Sequence, residues 1–404
     1  MKRLHTTALL VAVLGFGFLV VAGTAKAEDP KLSYKMGRGF SIESPDDNFK
    51  ITIGGYVQPR FTYLKREKNS YTDGFNIQRG KITLDGNVLS KNLKYGFAMN
   101  LATRSAATKT TVCKTAACTG SSGTTSVVSG ESTAGLATLD DYFVDWVPSD
   151  AIGIKVGQFK VPFEMQELTS DTKLQFVDRS LSNNFFDFVR DIGMNLHGRL
   201  LDNKFGYNLF IFNGQGQNNT NSLQGMMTGA RVDYSLLGTY DPTEGDIDMS
   251  QKPNLGTGIA YIYATEMDGA GAISENGTLT ATSSSSGGTQ ASNGTWDAGF
   301  KYKGLSLQTA LMLTRTYEKA ALTNWGYNGQ IGYMIIPRHF EFALKTGGAV
   351  FSNAVRNEYE YAADLNYFFK GHAVKLQADY TYLVNNRAST LNDQQFRTQL
   401  QLMF

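Results

Sequence analysis

One-for-one alternation of apolar and polar residues recurs along most of this chain, and that period constrains the fold more than any other feature. Between residues 51 and 63, Ile51, Ile53, Val57, Phe61 and Tyr63 alternate with Thr52, Tyr56, Gln58, Arg60 and Thr62. Between 374 and 382, Val374, Leu376, Ala378, Tyr380 and Tyr382 alternate with Lys375, Gln377, Asp379 and Thr381. A period of two belongs to a half-buried β-strand. Such segments fall near 49–64, 75–88, 93–104, 137–147, 151–159, 190–201, 205–213, 226–237, 254–265, 295–302, 305–315, 327–336, 340–347, 358–369, 373–384 and 394–404, about sixteen in all. An even number is what a bacterial barrel with both ends at one rim requires.

The connections are as informative as the strands. Every second one is short: Ser90-Lys91-Asn92, Pro148-Ser149-Asp150, Asp202-Asn203-Lys204, Lys303-Gly304, Pro337-Arg338-His339 and Lys370-Gly371-His372. The others are longer, and 105–136 and 266–294 are Ser/Thr/Gly-rich. Alternating short and long connections put tight turns at one rim and long loops at the other, as in transmembrane barrels. Residues 238–253 break the rule with a long connection on the turn side. An apolar outer face and a polar inner face then describe a water-filled tube. Tyr63, Trp146, Trp296, Tyr302 and Phe404 sit near strand ends, where an interfacial girdle is expected. A soluble one-sided sheet would need another layer over sixteen apolar faces, and no amphipathic helix is available to supply it.

Lys2 and Arg3 precede an apolar run from about Ala8 to Ala22, and Ala25-Lys26-Ala27 has the small-residue spacing of a cleavage site. The expectation is a signal peptide over 1–27, a periplasmic N-terminal segment over 28–47 and an outer-membrane β-barrel over 48–404. With 38 basic and 36 acidic residues, three of the basic ones in the leader, nothing points to nucleic acid. After Ala27 no apolar run approaches the roughly 20 residues of a membrane helix.

Residues 160–189, the third long connection, differ from the other loops in being aromatic and mixed in charge. Phe163, Phe176, Phe185, Phe186 and Phe188 need a surface to bury them, and the inner wall of the barrel is at hand. A loop folded inward there would narrow the pore.

The run GQFKVPF at 157–163, LTS at 168–170, LQFVDRSL at 174–181 and RDIGMNLHG at 190–198 resembles the phosphate-selective porin O and P family. So do GFSIESPDDNFKITIGGYVQPRF at 39–61 and LNYFFKGHAVKLQADYTYL at 365–383. The resemblance implies a sixteen-stranded porin, commonly a homotrimer, passing small anions or other hydrophilic solutes. The chain departs from the family where Pro162-Phe163 is followed by Glu164-Met165-Gln166, with the motif's acid displaced to Glu167, and where Gln175-Phe176-Val177-Asp178 precedes Arg179-Ser180-Leu181. These departures bear on phosphate selectivity more than on fold.

An anion filter needs Lys and Arg facing one another across a narrow section. Lys160, Arg179 and Arg190, in or beside the third loop, are the candidate constriction residues. Arg60, Arg79, Lys81, Lys94, Lys155, Arg199, Arg231, Lys345, Lys375 and Arg397 are expected on the lumen wall. Asp85, Asp141, Asp145, Asp191, Asp233, Asp297, Glu341, Asp364 and Asp379 are expected on the same side. So mixed a lining favours weak selectivity with a transverse field. Its bland counterpart has Arg179 and Arg190 paired to Asp178 or Asp191, simply holding the loop.

Cys113 and Cys118 lie in a long loop, where an oxidising compartment favours a small surface disulfide over a metal site. No metal, cofactor or catalytic set is expected. His197 with Asp191 and nearby serines is the weak case for an outer-membrane hydrolase, and NGQGQNN at 213–219 has no helix after it to make a phosphate cradle. The other alternative is a barrel that sheathes or docks another protein such as a redox carrier. Expected partners are outer-membrane lipid, two further copies of the chain, the barrel assembly machinery and small hydrophilic solutes.

The final stretch FRTQLQLMF is expected to be the closing strand, with Phe404 as the assembly signal. Deleting Phe404 should lower the amount of folded barrel in the membrane more than the conductance of each channel that does form. Membrane-fraction yield and single-channel recordings measure the two separately, and a normal yield would refute the role.

Overall fold

The computed structural model describes residues 29–67, 71–102, 137–221, 225–267, 289–317, 323–352, 357–386 and 390–404. The leader, Cys113, Cys118 and most of the two low-complexity loops lie outside the described residues. A short hairpin, β1 (Lys31–Lys35) and β2 (Gly39–Glu43), comes first. Sixteen longer strands follow. They are β3 (Lys50–Arg66), β4 (Thr72–Asn87), β5 (Leu93–Asn100), β6 (Thr138–Ser149), β7 (Ile152–Lys160), β8 (Arg190–Leu200), β9 (Phe205–Phe212) and β10 (Met227–Leu237). The second half comprises β11 (Asn254–Met267), β12 (Thr289–Tyr302), β13 (Leu305–Thr316), β14 (Thr323–Ile336), β15 (Phe340–Val350), β16 (Asn357–Lys370), β17 (Val374–Asn386) and β18 (Thr390–Met403).

Each strand from β3 onward pairs antiparallel with the next, and β18 returns to β3 with Phe396 opposite Tyr63 and Leu402 opposite Val57. The last residue completes the seam: Phe404 N donates to Gly55 O at 3.0 Å, and Gly55 N donates to Phe404 O at 3.1 Å. Closure leaves none of these sixteen strands with an unpaired edge, the condition for crossing a bilayer without helices. All sixteen segments expected from the alternation are strands.

Burial is inverted relative to a soluble protein. On β17, Leu376 and Tyr380 are 44% and 45% exposed on the outer face, whereas Lys375, Gln377 and Asp379 are buried. Polar residues can be buried at the centre of a wide tube only if something polar fills it. The filler is the segment between β7 and β8, which contains α1 (Met165–Leu168), a 3-10 turn at Asp171–Lys173 and α2 (Leu181–Phe186). Elements of four, three and six residues are too short to print a helical period on the sequence, so this stretch reads as plain loop. Their ends are capped locally. Glu164 accepts from Glu167 N at 3.0 Å, and Ser180 Oγ accepts from Asn183 N at 3.4 Å.

The phenylalanines of this segment bury against the inner wall, and the wall changes to suit them. Val161 and Phe163 pack with Phe159, Phe210, Phe212, Met227, Ala260 and Ile262. Phe185 and Phe186 pack with Ala310, Met312, Ala349 and Phe351, and Phe176 packs with Ala343 and Ala362. The expected uniformly polar inner face is therefore interrupted by apolar patches, because a wall that receives aromatic side chains must itself be apolar there.

The anomalous connection 238–253 also turns inward. Glu244 accepts from Gln166 Nε2 at 2.9 Å and from Gln175 N at 2.6 Å, and Glu244 N donates to Lys173 O at 3.2 Å. It supports the inward segment from the rim of short turns, which is why it needs its length. The Tyr240 ring lies over the backbone of Gly256 and Gly299, and a Cβ at Gly299 would meet Tyr240 Oη at 1.8 Å. Gly299→Val should therefore destabilise the barrel by about 1–3 kcal/mol through overpacking, although Val is the better strand former. Urea unfolding checks this, and Tyr240→Ala in the same chain should recover most of the loss.

Candidate functional site

The side chains that fix the inward segment converge on Asp178. Arg60 Nη1 donates to Asp178 Oδ2 at 2.8 Å, Arg79 Nη2 to Oδ1 at 3.1 Å and Arg397 Nη1 to Oδ2 at 2.8 Å. The three arginines come from β3, β4 and β18, adjacent strands at the seam of the barrel. Burial would raise the Asp178 carboxyl, but Arg60, Arg397 and Arg79 hold it far below the ordinary carboxylate range. The clamp is thus present above the usual aspartate pKa and is lost only as pH falls through the lowered folded value.

A second knot lies beside it. Burial opposes ionisation of Asp171 as well, and Arg179, Lys81 and Arg79 hold it well below the usual range. Arg179 Nη1 lies 2.6 Å from Asp171 Oδ1, and its Nε lies 2.9 Å from Glu167 Oε2. Arg179 also donates to the carbonyls of Gln166 and Thr169. Lys81 Nζ sits between Asp171 at 2.9 Å and Asp140 at 2.6 Å. Lys160 Nζ donates to Glu167 O and, at 3.0 Å, to Thr169 O. Arg190 pairs with Asp141 at 2.9 Å.

These partners correct the pairing weighed for the sequence. Arg179 binds Glu167 and Asp171 within its own segment, and Arg190 binds Asp141 on the neighbouring wall. Asp178 serves wall arginines instead, and Asp191 accepts from the amides of Gly214 at 2.8 Å and Gly216 at 3.3 Å. The Gly-bearing stretch 213–219 therefore cradles an anion, but the anion is a carboxylate of this chain. Adjacent residues on a chain point apart, so Asp178 reaches the wall while Arg179 turns back into its own segment.

Most of the remaining wall cations are occupied in the same way. Arg231 pairs with Asp297 at 2.7 Å and donates to Phe163 O at 2.5 Å. Lys345 donates to Asp178 O at 3.1 Å, and Lys375 donates to Leu174 O at 2.6 Å. Lys155 lies 3.5 Å from Asp145 and over the ring of Phe143. Arg199 pairs with Asp233 at 3.1 Å, and Lys94 is exposed. His197 Nε2 lies 2.8 Å from Asp145 Oδ1 rather than against Asp191, and Asp145 is shared with Lys155. Among the described residues no cluster of His, Cys, Asp or Glu is arranged to hold a metal.

A cavity of about 650 Å³ remains between the inward segment and the wall. Its charged lining consists of Arg79, Lys81, Arg179, Arg190 and Arg397 against Asp140, Glu167, Asp171, Asp178 and Glu360, five of each sign. Amides of Gln78, Asn100, Asn183, Asn184, Gln217 and Gln395 make up most of the uncharged lining, with two threonines and four apolar residues between them. Lys160 lies behind the segment and not on this surface. Asp171 and Glu244 were not singled out from the sequence, and Glu167 stood out only as a departure from the family pattern. No signal for them lay in the near balance of wall cations and wall acids.

Asp178→Asn should leave Arg60, Arg79 and Arg397 without a shared carboxylate. The cost should be about 2–4 kcal/mol, toward the lower end of breaking a buried pair because the Asp178 side chain is 27% exposed. Urea unfolding reads the loss, and the reversal potential in a salt gradient should move toward anions. An unchanged potential would mean that these arginines do not face the conducting path.

Residues 51–404 match the family described as "Phosphate-selective porin O and P". No curated protein matches the chain. Among solved structures, an anion-selective porin from Comamonas acidovorans superposes with a TM-score of 0.58 at 13% identity, covering 88% of this chain and 99% of its own. The outer membrane channel DcaP of Acinetobacter baumannii gives 0.54 at 11% identity, with 91% and 100% covered. In-vitro folded OmpT of Vibrio cholerae, in a trimer form, gives 0.50 at 9% identity, with 88% and 99% covered.

Proposed function

Starting from the fact that the chain belongs to the phosphate-selective porin O and P family, we propose that it is a pore of weak ion selectivity whose narrow section is set by residues 160–189. The chain is a porin, a channel for passive diffusion across the outer membrane and not an enzyme. The observation that carries the selectivity reading is the lining of the cavity, five cationic and five acidic side chains with the guanidinium groups already bound to carboxylates. A filter for phosphate needs cations whose donors face the solute. Here the donors of Arg79, Arg179 and Arg397 are spent on the protein, and what is offered to a solute is a surface of amides and paired charges. Such a surface suits small hydrophilic solutes of either sign.

Lys160, Arg179 and Arg190 then act differently from one another. Arg179 and Arg190 line the passage and shape its field. Lys160 braces the segment from behind. Export through cleavage after Ala27, a periplasmic position for the rim of short turns and assembly as a homotrimer complete the reading. The trimer form of the Vibrio cholerae barrel supports the last of these. A sheath around another protein is disfavoured by size, since a cavity of about 650 Å³ admits a small molecule and not a folded redox domain.

Current through the purified protein in a planar bilayer under a KCl gradient tests the proposal. Discrete steps with a reversal potential near zero, unaffected by added phosphate, are expected. A strongly anion-biased potential with block by phosphate would overturn the weak-selectivity reading. No steps from demonstrably folded protein would sink diffusion altogether.

A further inference from the structure

The hairpin β1–β2 is not needed to close the barrel, because β18 already returns to β3. It lies end to end with β18 along one edge of β3, with Met403 opposite Tyr56 and Phe40 opposite Ile53. Its cross-strand rows run directly into the wall. On one face Tyr34, Phe40, Ile53 and Leu84 stand in register, and so do Leu32, Ile42 and Ile51. On the other face Ser41 Oγ lies 3.0 Å from Thr52 Oγ1, and Glu43 pairs with Lys50 at 2.8 Å. Directly opposed residues of an antiparallel pair point to the same side. The apolar rows therefore continue the outer face of β3, where Ile53 is 44% exposed, and the polar rows continue the lumen side, where Thr52 is buried. Leu32 and Tyr34 are 63% and 61% exposed, an apolar surface in line with the lipid-facing belt.

We propose that this hairpin is a membrane-surface contact, with Leu32, Tyr34 and Phe40 resting in the headgroup and glycerol layer of the leaflet at the rim of short turns. Two constraints fix the depth. Among the described residues the register of β1 is with β2 alone, so its outer edge needs water or headgroups for its N–H and C=O groups and cannot enter the hydrocarbon. An exposed tyrosine in one row with Phe40 and beside Leu32 is the chemistry of the interface, an aromatic at the glycerol level. The hairpin thereby holds the seam between β3 and β18 against the bilayer at the one place where the wall is finished by a chain end. The inference rests on the barrel's place in a membrane but not on what the pore conducts.

Trp146, Trp296 and Trp325 are replaced by Phe, and Tyr34→Trp is added as the sole fluorophore in proteoliposomes of phospholipids brominated near the glycerol end or near the methyl end of the acyl chains. Blue-shifted emission, greater intensity loss with the glycerol-end bromines than with the methyl-end ones, and little quenching by acrylamide are expected. Emission at the aqueous wavelength with strong acrylamide quenching would overturn the proposal. Protection from all three quenchers would overturn it too, by placing the hairpin against another protein chain. Leu32→Trp repeats the measurement should Tyr34→Trp fail to fold. Leu311→Trp, 50% exposed on the outer face of β13, serves as the control. Its quenching by methyl-end bromines shows an inserted barrel, so failure of the hairpin proposal is distinguished from failure of the barrel itself.

Discussion

A barrel of sixteen strands is too wide for its own side chains to meet across the middle. Whatever narrows it must be carried in by a connecting segment and fastened to a wall that water would otherwise solvate. In this chain the fastening is electrostatic in the middle of the segment and apolar toward both of its ends. Asp178 is held by arginines from three adjacent strands at the seam. Phe163, Phe185 and Phe186 are held by apolar patches on strands further round the barrel. The two kinds of anchor need each other. Ion pairs in a wet lumen are worth little alone, but the aromatic contacts exclude water from part of the surroundings and the carboxylate fixes the register.

That division explains why the lumen holds so many charges with so little net charge. Among the described residues most cations on the wall, Arg60, Arg79, Lys81, Arg231, Lys345, Lys375 and Arg397 among them, have a structural partner on the crossing segment or on a neighbouring strand, so these charges serve first to position the segment. Burial raises Glu164, near Asp297 and beside α1, to about 7, and it accepts from Asn183 Nδ2 at 2.8 Å, linking the starts of the two short helices. The segment is therefore tied to itself as well as to the wall. The passage left over is lined by what the fastening does not consume, mainly amides and the outer edges of paired ions.

The strands were legible from the sequence because a wall between lipid and water imposes the same period-two pattern at each crossing, as on β3 and β17. The closing role of FRTQLQLMF followed from the same rule. The partners in the lumen were not legible. Asp178 and Arg397 are far apart in the chain, and Arg179 could not be assigned to Asp171 rather than Asp178 without the turn at Asp171–Lys173. The apolar inner faces of β9 and β11 were hidden for a related reason. Phe210, Phe212, Ala260 and Ile262 face inward because of what covers them, and that cover comes from a different part of the sequence. The length of 238–253 was visible as an exception, but its meaning required the contact of Glu244 with Gln175.

The central claim is that the segment between β7 and β8, fixed across the lumen, sets the width of the pore. Single-channel conductance in the presence of uncharged polymers of graded size tests it most directly, since a polymer lowers the current only when it enters the narrow section. The account predicts that only the smallest polymers reduce the conductance, and that removing residues 164–187 lets much larger ones do so. Entry of large polymers into the intact channel, or the same size limit after the removal, would contradict it.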